Sequence, residues 1–216
     1  MKKPNSADNP DPVTPARIHA LPRKIARERG CVAAAVLRGL ARKVQASENV
    51  RAGKRWYFDA IDTMAAEKWP YVPATTLYDT LKALRTAGLV MTSRNNKKSY
   101  DRTTWYSMPQ EAINAAADDL VLFDVATAVQ FGIEAALILH NLDFHLNKQA
   151  VEDPDADDYH HLSPSQLSRD LPMTRTMAKR KIRELEKAGK IVRREPKSPF
   201  WTIPIPPYPG GSTPNE

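Results

Sequence analysis

The chain has 216 residues, of which 42% are hydrophobic and one is cysteine, and a formal net charge of +7. This composition supports globular cores, whereas the lone Cys31 excludes an intrachain disulfide framework and fits a reducing, cytoplasmic compartment. No apolar run reaches the roughly 18 residues of a membrane span, and the polar N-terminus lacks the apolar region of a secretory signal.

The charge is unevenly distributed along the chain. Residues 1–110 carry a net charge of +11, residues 111–158 carry −10, and residues 159–216 carry +6. This order argues against a uniformly cationic protein and places the expected basic surfaces in the first and last segments.

The first predicted fold begins near Arg23, after a proline-rich stretch (residues 1–22) with little apolar pattern, which predicts a disordered tail. Apolar side chains at helical spacing predict the first helix; they are Ala33, Leu37, Leu40 and Val44. Residues 56–58 predict a short strand. Asp59 is expected to cap a second helix, which ends before Trp69-Pro70 because proline disfavours a helical residue before it.

A third helix is predicted from Pro73 to Ala87, because proline suits a first helical turn and Gly88 suits the C-terminal cap. Two strands, residues 89–94 and 100–107, are expected to form a hairpin around the polar residues between them.

The same order recurs about a hundred residues later. A shift of 101 positions places Leu84 on Leu185 and Gly88 on Gly189, so an internal repeat is expected. For the first helices a shift of 100 is predicted instead, and its matching residues are Ile133, Leu137, His140 and Phe144.

The remaining elements of the second copy follow from local signals. Ser163 is expected to cap a short helix that breaks at Leu171-Pro172, and Thr174 is expected to open the third helix. A short hairpin to residue 203 and a disordered tail complete this copy. The predicted organisation is a tail at 1–22, domains at 23–109 and 110–205, and a tail at 206–216.

Both copies resemble the winged-helix domain of phage and plasmid replication proteins of the replisome-organiser type. The resemblance rests on Leu84-x-x-x-Gly88-Leu89 and on the run Asp101-Arg102-Thr103-Thr104-Trp105-Tyr106. The second copy keeps Leu185-x-x-x-Gly189, but Lys190 replaces the leucine and the Asp-Arg-Thr stretch is missing. The resemblance implies an α+β, helix-rich fold of two tandem winged helix-turn-helix domains, and it implies DNA binding.

The outward faces of the two third helices supply the candidate DNA contacts, because a helix in the major groove needs donors for phosphates and guanine edges. The second helix is predicted to be the stronger reader, since the first carries Asp79 on this face. The candidates on the second helix are Thr176, Lys179, Arg180, Arg183 and Lys187. Those on the first helix are Thr75, Tyr78 and Lys82, and those on its wing are Arg94, Lys97, Lys98 and Arg102. The alternative is that all these cations are solvated surface charges.

The predicted function is double-stranded DNA binding, in replication initiation or gene control of a phage or plasmid. The alternative is a protein-interaction module that inhibits a nucleic-acid enzyme, as a mobile-element counter-defence protein would, with the acidic residues 111–158 holding a basic partner.

Other chemistries find less support in the sequence. His140 and His145 point apart on a helix, and His160 and His161 would point to opposite faces of a strand, so no metal site is predicted. The acidic loop 152–158 lacks the glycine and terminal glutamate of a calcium loop. No phosphate loop or nucleophile–base pair is found, so neither an enzyme nor a cofactor is expected.

Overall fold

The computed structural model describes residues 17–94 and 103–204. The fold is α+β with about 54% helix and small antiparallel sheets. The elements of the first half are β1 (Ile18–Pro22), α1 (Arg23–Arg29), α2 (Cys31–Ala46), β2 (Val50–Arg51), β3 (Lys54–Arg55), β4 (Tyr57–Phe58), α3 (Ile61–Thr63), a π-helical turn (Met64–Lys68), α4 (Ala74–Thr86), β5 (Met91–Ser93) and β6 (Trp105–Ser107).

The second half follows without a break in the described chain. Its elements are α5 (Gln110–Ala115), β7 (Leu120–Asp124), α6 (Val125–Phe131), α7 (Ile133–Glu152), β8 (His160–His161), α8 (Pro164–Asp170), α9 (Arg175–Lys187), β9 (Val192–Arg193) and β10 (Phe200–Thr202).

Two three-stranded sheets repeat the same order of strands. In the first half, β6 lies between β4 and β5, and in the second half β10 lies between β8 and β9. In each half a pair of antiparallel strands follows a long helix: β5 and β6 follow α4, and β9 and β10 follow α9. An earlier strand, β4 or β8, pairs with the second strand of that pair. Gly88 and Gly189 adopt φ of +73° and +65° at these helix ends, as expected for glycine caps.

The local helix signals are confirmed in most places. The hydroxyl oxygens of Ser163 and Thr174 accept backbone N–H groups at 3.1 and 3.2 Å, and these bonds cap α8 and α9. Asp59 does not cap the second helix, which begins at Ile61. Its carboxylate instead accepts from the hydroxyl of Tyr57 and from the adjacent backbone N–H, both at 2.9 Å.

The predicted N-terminal tail was wrong for Ile18–Pro22, which form β1. This strand pairs antiparallel with β7, so its hydrogen-bonding partner lies about a hundred residues away and leaves no local pattern. Arg17 of that tail is described, whereas its residues 1–16 and the tail predicted at 206–216 lie outside the described residues.

The shift of 100 predicted for the first helices was also wrong. Gly30 and Gly132 have nearly the same backbone angles, φ/ψ of 89°/157° and 86°/163°, and each immediately precedes a long helix. These glycines fix the shift at 102 positions. Phe144 is therefore 58% exposed rather than packed like Val44, while Leu142, which corresponds to Leu40, is fully buried.

The pairing of β1 with β7 is symmetric under exchange of the two halves. Ile18 pairs with Asp124, Pro22 pairs with Leu120, and Ala20 pairs with Leu122 at the centre. A shift of 102 converts the first pair into the second, as in an isologous contact between two copies of one unit. The halves therefore join around a local pseudo-two-fold axis.

A single cluster of buried apolar side chains runs through both halves and includes residues of α2, α4, α7 and α9. Burial of one leucine side chain contributes about 1.5–3 kcal/mol, so this continuous core is expected to hold the halves together strongly. Within the described residues, no helix is long and apolar enough to cross a membrane.

Candidate nucleic-acid interface

Helix α9 presents a basic outer face. Ala178, Ile182 and Leu185 are buried against the core, as the helical wheel predicts. The opposite face is exposed at all five predicted positions: Thr176, Lys179, Arg180, Arg183 and Lys187. The structure thus brings together on one helix the side chains that the sequence assigned to it.

Glu184 modifies the charge of this face. Its carboxylate lies 3.6 Å from Arg180 and 2.7 Å from the Nζ atom of Lys181. Lys181 also donates to the backbone carbonyl of Phe131 at 2.8 Å, which ties α9 to α6. Arg180 is consequently partly neutralised, whereas Arg183 has no ion-pair partner among the described residues.

The two arginines of the hairpin after α9 interact with other side chains of the protein. The guanidinium of Arg193 stacks on Trp201 at 4.2 Å and donates to Glu186 at 3.3 and 3.4 Å. Arg194 forms an ion pair with Asp157 in the acidic loop. Because both arginines are held by partners, α9 contributes more available positive charge than this hairpin does.

Helix α4 is the counterpart of α9 in the first half. Leu77, Leu81 and Leu84 are buried, and the outward residues are exposed as predicted. They are Thr75, Tyr78, Asp79, Lys82 and Thr86. Tyr78 is 58% exposed, so an aromatic ring lies open on this face.

A cleft of about 470 Å³ separates α4 from the hairpin β5–β6. Lys82 and the predicted wing residue Arg94 line this cleft, together with Arg85, which sequence reasoning missed. Arg85 lies three residues after Lys82, so helical spacing could have placed it on the same flank. The other predicted wing residues, Lys97, Lys98 and Arg102, lie outside the described residues.

A small hairpin, β2–β3, adds further cations that sequence reasoning did not identify. Ala52 and Gly53 have φ of +48° and +71°, the left-handed conformations of a two-residue hairpin turn. The guanidinium of Arg51 lies 4.8 Å from the centre of the Trp105 ring, and Arg55 donates to the carbonyl of Ser47 at 2.7 Å. The glycine within a polar stretch was the available signal.

The acidic region has a mixed surface. Lys148 lies 3.6 Å from Glu152, and the backbone N–H of Asp155 donates to the carboxylate of Asp153 at 3.2 Å. Phe144 and Val151 are 58% and 83% exposed on α7, the helix that ends at Glu152. The region therefore offers both apolar side chains and negative charge.

The histidines come together in a way that the sequence did not predict. The rings of His145 and His160 stack in parallel with their centres 4.6 Å apart. Burial, followed by the nearby His145 and His161, lowers the pKa of His160. Among the described residues, no three His, Cys, Asp or Glu side chains form a group that could hold a metal ion.

No protein-family model matches the chain, and no curated protein or solved structure matches it either.

Proposed function

We propose that the chain binds double-stranded DNA through two winged helices in tandem, with α9 as the main recognition helix. The observation that carries this proposal is the exposed cationic face of α9, directly followed by a hairpin. The order of helices and hairpin in each half, and the motif resemblance to phage and plasmid replication proteins, support the same function. Replication initiation or gene control of such an element is the proposed setting.

The pseudo-two-fold pairing of β1 with β7 supports a bipartite DNA site. In dimeric helix-turn-helix proteins, two-fold symmetry of the protein corresponds to two related half-sites on the duplex. Here α4 and α9 would each address one half-site. Because α4 carries Asp79 beside Lys82, the two half-sites are expected to contribute unequally.

The test is fluorescence anisotropy of the full chain with random duplex DNA at several salt concentrations. If about five cations contact phosphates, log K falls against log salt with a slope of roughly −4 to −5. The double variant Arg183→Gln/Lys187→Gln should make this slope shallower by roughly two. A control, Lys24→Gln/Arg29→Gln, removes two exposed cations of α1 and should leave the slope unchanged. A parent protein whose affinity does not depend on salt would contradict the proposal.

The second candidate is an interaction module that inhibits a nucleic-acid enzyme. The observation that favours it is the exposure of Phe144 and Val151 on α7, the helix that leads into the acidic loop. This candidate predicts binding to a basic protein surface that is lost in Phe144→Ser and retained in Arg183→Gln/Lys187→Gln. Pull-down with nucleic-acid enzymes of the host, using both variants, would separate the two candidates.

A further inference from the structure

A second basic feature lies away from the outer face of α9, in a cleft of about 690 Å³ between α2, β1 and the end of the π-helical turn. We call it the α2 cleft. None of its described lining residues is Asp or Glu, and its lining cations are Arg17, Arg38, Arg42, Lys43 and Lys68.

Part of this charge is already used within the protein. Lys68 pairs with the carboxylate of Glu67 at 2.7 Å, and Arg17 donates to the backbone carbonyl of Glu67 at 2.8 Å. The three cations of α2 have no ion-pair partner among the described residues; they are Arg38, Arg42 and Lys43.

Arg38 has a hydrogen-bond donor that the described part of the chain leaves unsatisfied. Its Nε atom is buried and has no hydrogen-bond partner among the described residues, an arrangement that is costly for a charged group. Burial, followed by the neighbouring Arg42, lowers its pKa. Burial lowers the pKa of His19 in the same cleft to about 4, with Arg17 and Arg42 contributing. The cleft therefore holds uncompensated positive potential.

The walls of the cleft strengthen that potential. Trp69 lines the cleft, as do Ile18 and Leu122 of the β1–β7 pair. Low-dielectric walls concentrate the field of charges inside a concave surface. Arginine presents a planar fork of donors that matches the oxygens of a phosphate group better than a single ammonium does.

The second half lacks this feature. With the shift of 102 positions, the α7 residues that correspond to Arg38, Arg42 and Lys43 are His140, Phe144 and His145. If the repeated fold required cations at these positions, both halves would carry them. The charge is therefore specific to the first half, as expected for a binding site.

We propose that the α2 cleft binds a phosphate group, with Arg38 and Arg42 as its principal donors. The phosphate belongs either to a free nucleotide or to a nucleic-acid backbone. Since the cleft is separate from the outer face of α9, this inference does not depend on the proposed DNA-binding function.

The test is isothermal titration calorimetry of the full chain with inorganic pyrophosphate, adenosine triphosphate and a 12-nucleotide single strand at low salt. Arg38→Gln/Arg42→Gln should weaken binding about tenfold or more, as expected for loss of charged hydrogen bonds. The control Lys24→Gln/Arg29→Gln has the same loss of charge and should stay within about threefold of the parent. Circular dichroism checks that each variant folds. If the double variant does not fold, Arg42→Gln alone replaces it and should show a smaller loss of affinity.

The three probes distinguish the source of the phosphate. Binding of pyrophosphate and the nucleotide that depends on the two arginines would identify a free nucleotide, and such binding of the oligonucleotide alone would identify the backbone. The oligonucleotide arm is repeated in Arg180→Gln/Arg183→Gln, so that contacts by α9 cannot mask the cleft. The inference is overturned if the parent binds none of the probes, or if the arginine and control variants lose affinity equally.

Discussion

The indole ring of Trp69 occupies the space that a side chain at Gly39 would need. A Cβ atom on Gly39 would lie 2.6 Å from Cζ2 of Trp69, well inside normal contact distance. The ring is buried, and its Nε1 donates to the carbonyl of Ala35 at 3.4 Å. Glycine is unfavourable inside a helix, so its presence in α2 is explained by this close approach of the π-helical turn.

Gly39→Ala is therefore expected to destabilise the protein despite the better helix propensity of alanine. Overpacking costs about 1–3 kcal/mol and the propensity gain returns roughly 1 kcal/mol, so a net loss of up to about 2 kcal/mol is expected. Urea denaturation measures it. In the Trp69→Leu background, where the ring is absent, the same substitution should be neutral or stabilising; an equal loss in both backgrounds would contradict the steric explanation.

The parts of this fold that the sequence predicted are those determined by neighbouring residues. Ser163 and Thr174 cap helices because the acceptor and the donor lie three residues apart. Gly88 follows the end of α4 because the local backbone there adopts a positive φ, which favours glycine. The exposed face of α9 followed from helical spacing alone, which is why all five candidates lie on it.

The parts that were missed depend on contacts between distant residues. The strand Ile18–Pro22 lies at the end of a proline-rich stretch, which predicts a disordered tail. It acquires its structure only by pairing with β7. The burial of the Arg38 Nε atom and the stack of His145 on His160 likewise arise from packing. The shift of 102 required the backbone angles of Gly30 and Gly132, which spacing of apolar residues could not supply.

Glu184→Gln should strengthen DNA binding if α9 is the recognition helix. The substitution removes a carboxylate from beside Arg180 and leaves Lys181 bonded to the carbonyl of Phe131. Affinity for random duplex should rise about three- to tenfold at low salt, because one more cation becomes available to phosphate. Glu111→Gln removes an equal charge from the exposed surface of α5 and should change affinity little. Equal gains in both variants would indicate a net-charge effect only.

Acid should destabilise the protein through His19. Its imidazole lies 2.8 Å from the hydroxyl of Tyr71, and burial, followed by Arg17 and Arg42, lowers its pKa from 6.5 to about 4. The unfolded chain therefore binds the proton first, so stability is fully present above pH 6.5 and falls as the pH drops toward 4. Thermal unfolding across this range should show a smaller pH dependence for His19→Gln. The exposed His161→Gln should follow the parent, and identical curves for all three proteins would exclude His19 as a contributor.

Cys31 should react slowly in the folded protein. It is buried at the start of α2, and its Sγ lies 3.5 Å from the carbonyl of Pro172. Burial, with a smaller contribution from Glu134, raises its pKa to about 12, so little thiolate forms near neutral pH. Alkylation by iodoacetamide at pH 8 should be at least about a hundredfold slower than in urea-unfolded protein. Comparable rates in the two states would show that the N-terminus of α2 opens readily.

The two glycines that precede the long helices provide a test of the pseudo-symmetry. Gly30 and Gly132 share a backbone conformation that residues with a Cβ atom rarely adopt. In the described part of the chain, neither position has an atom closer than 3.4 Å to an added Cβ. The cost of alanine is therefore conformational, about 1–3 kcal/mol, and should be similar for Gly30→Ala and Gly132→Ala. Urea denaturation of the two variants measures it.

Gly53→Ala, in the exposed turn between β2 and β3, is the control for this comparison. Its φ of +71° lies in the left-handed region, and no atom of the described residues lies within 4 Å of an added Cβ, so a smaller loss of about 1 kcal/mol is expected. Because the core is continuous through both halves, Gly30→Ala and Gly132→Ala should each lower a single unfolding transition rather than melt one half first. Unequal losses would show that the halves are not energetically equivalent. Two separate transitions would show that the symmetric β1–β7 pair does not couple them.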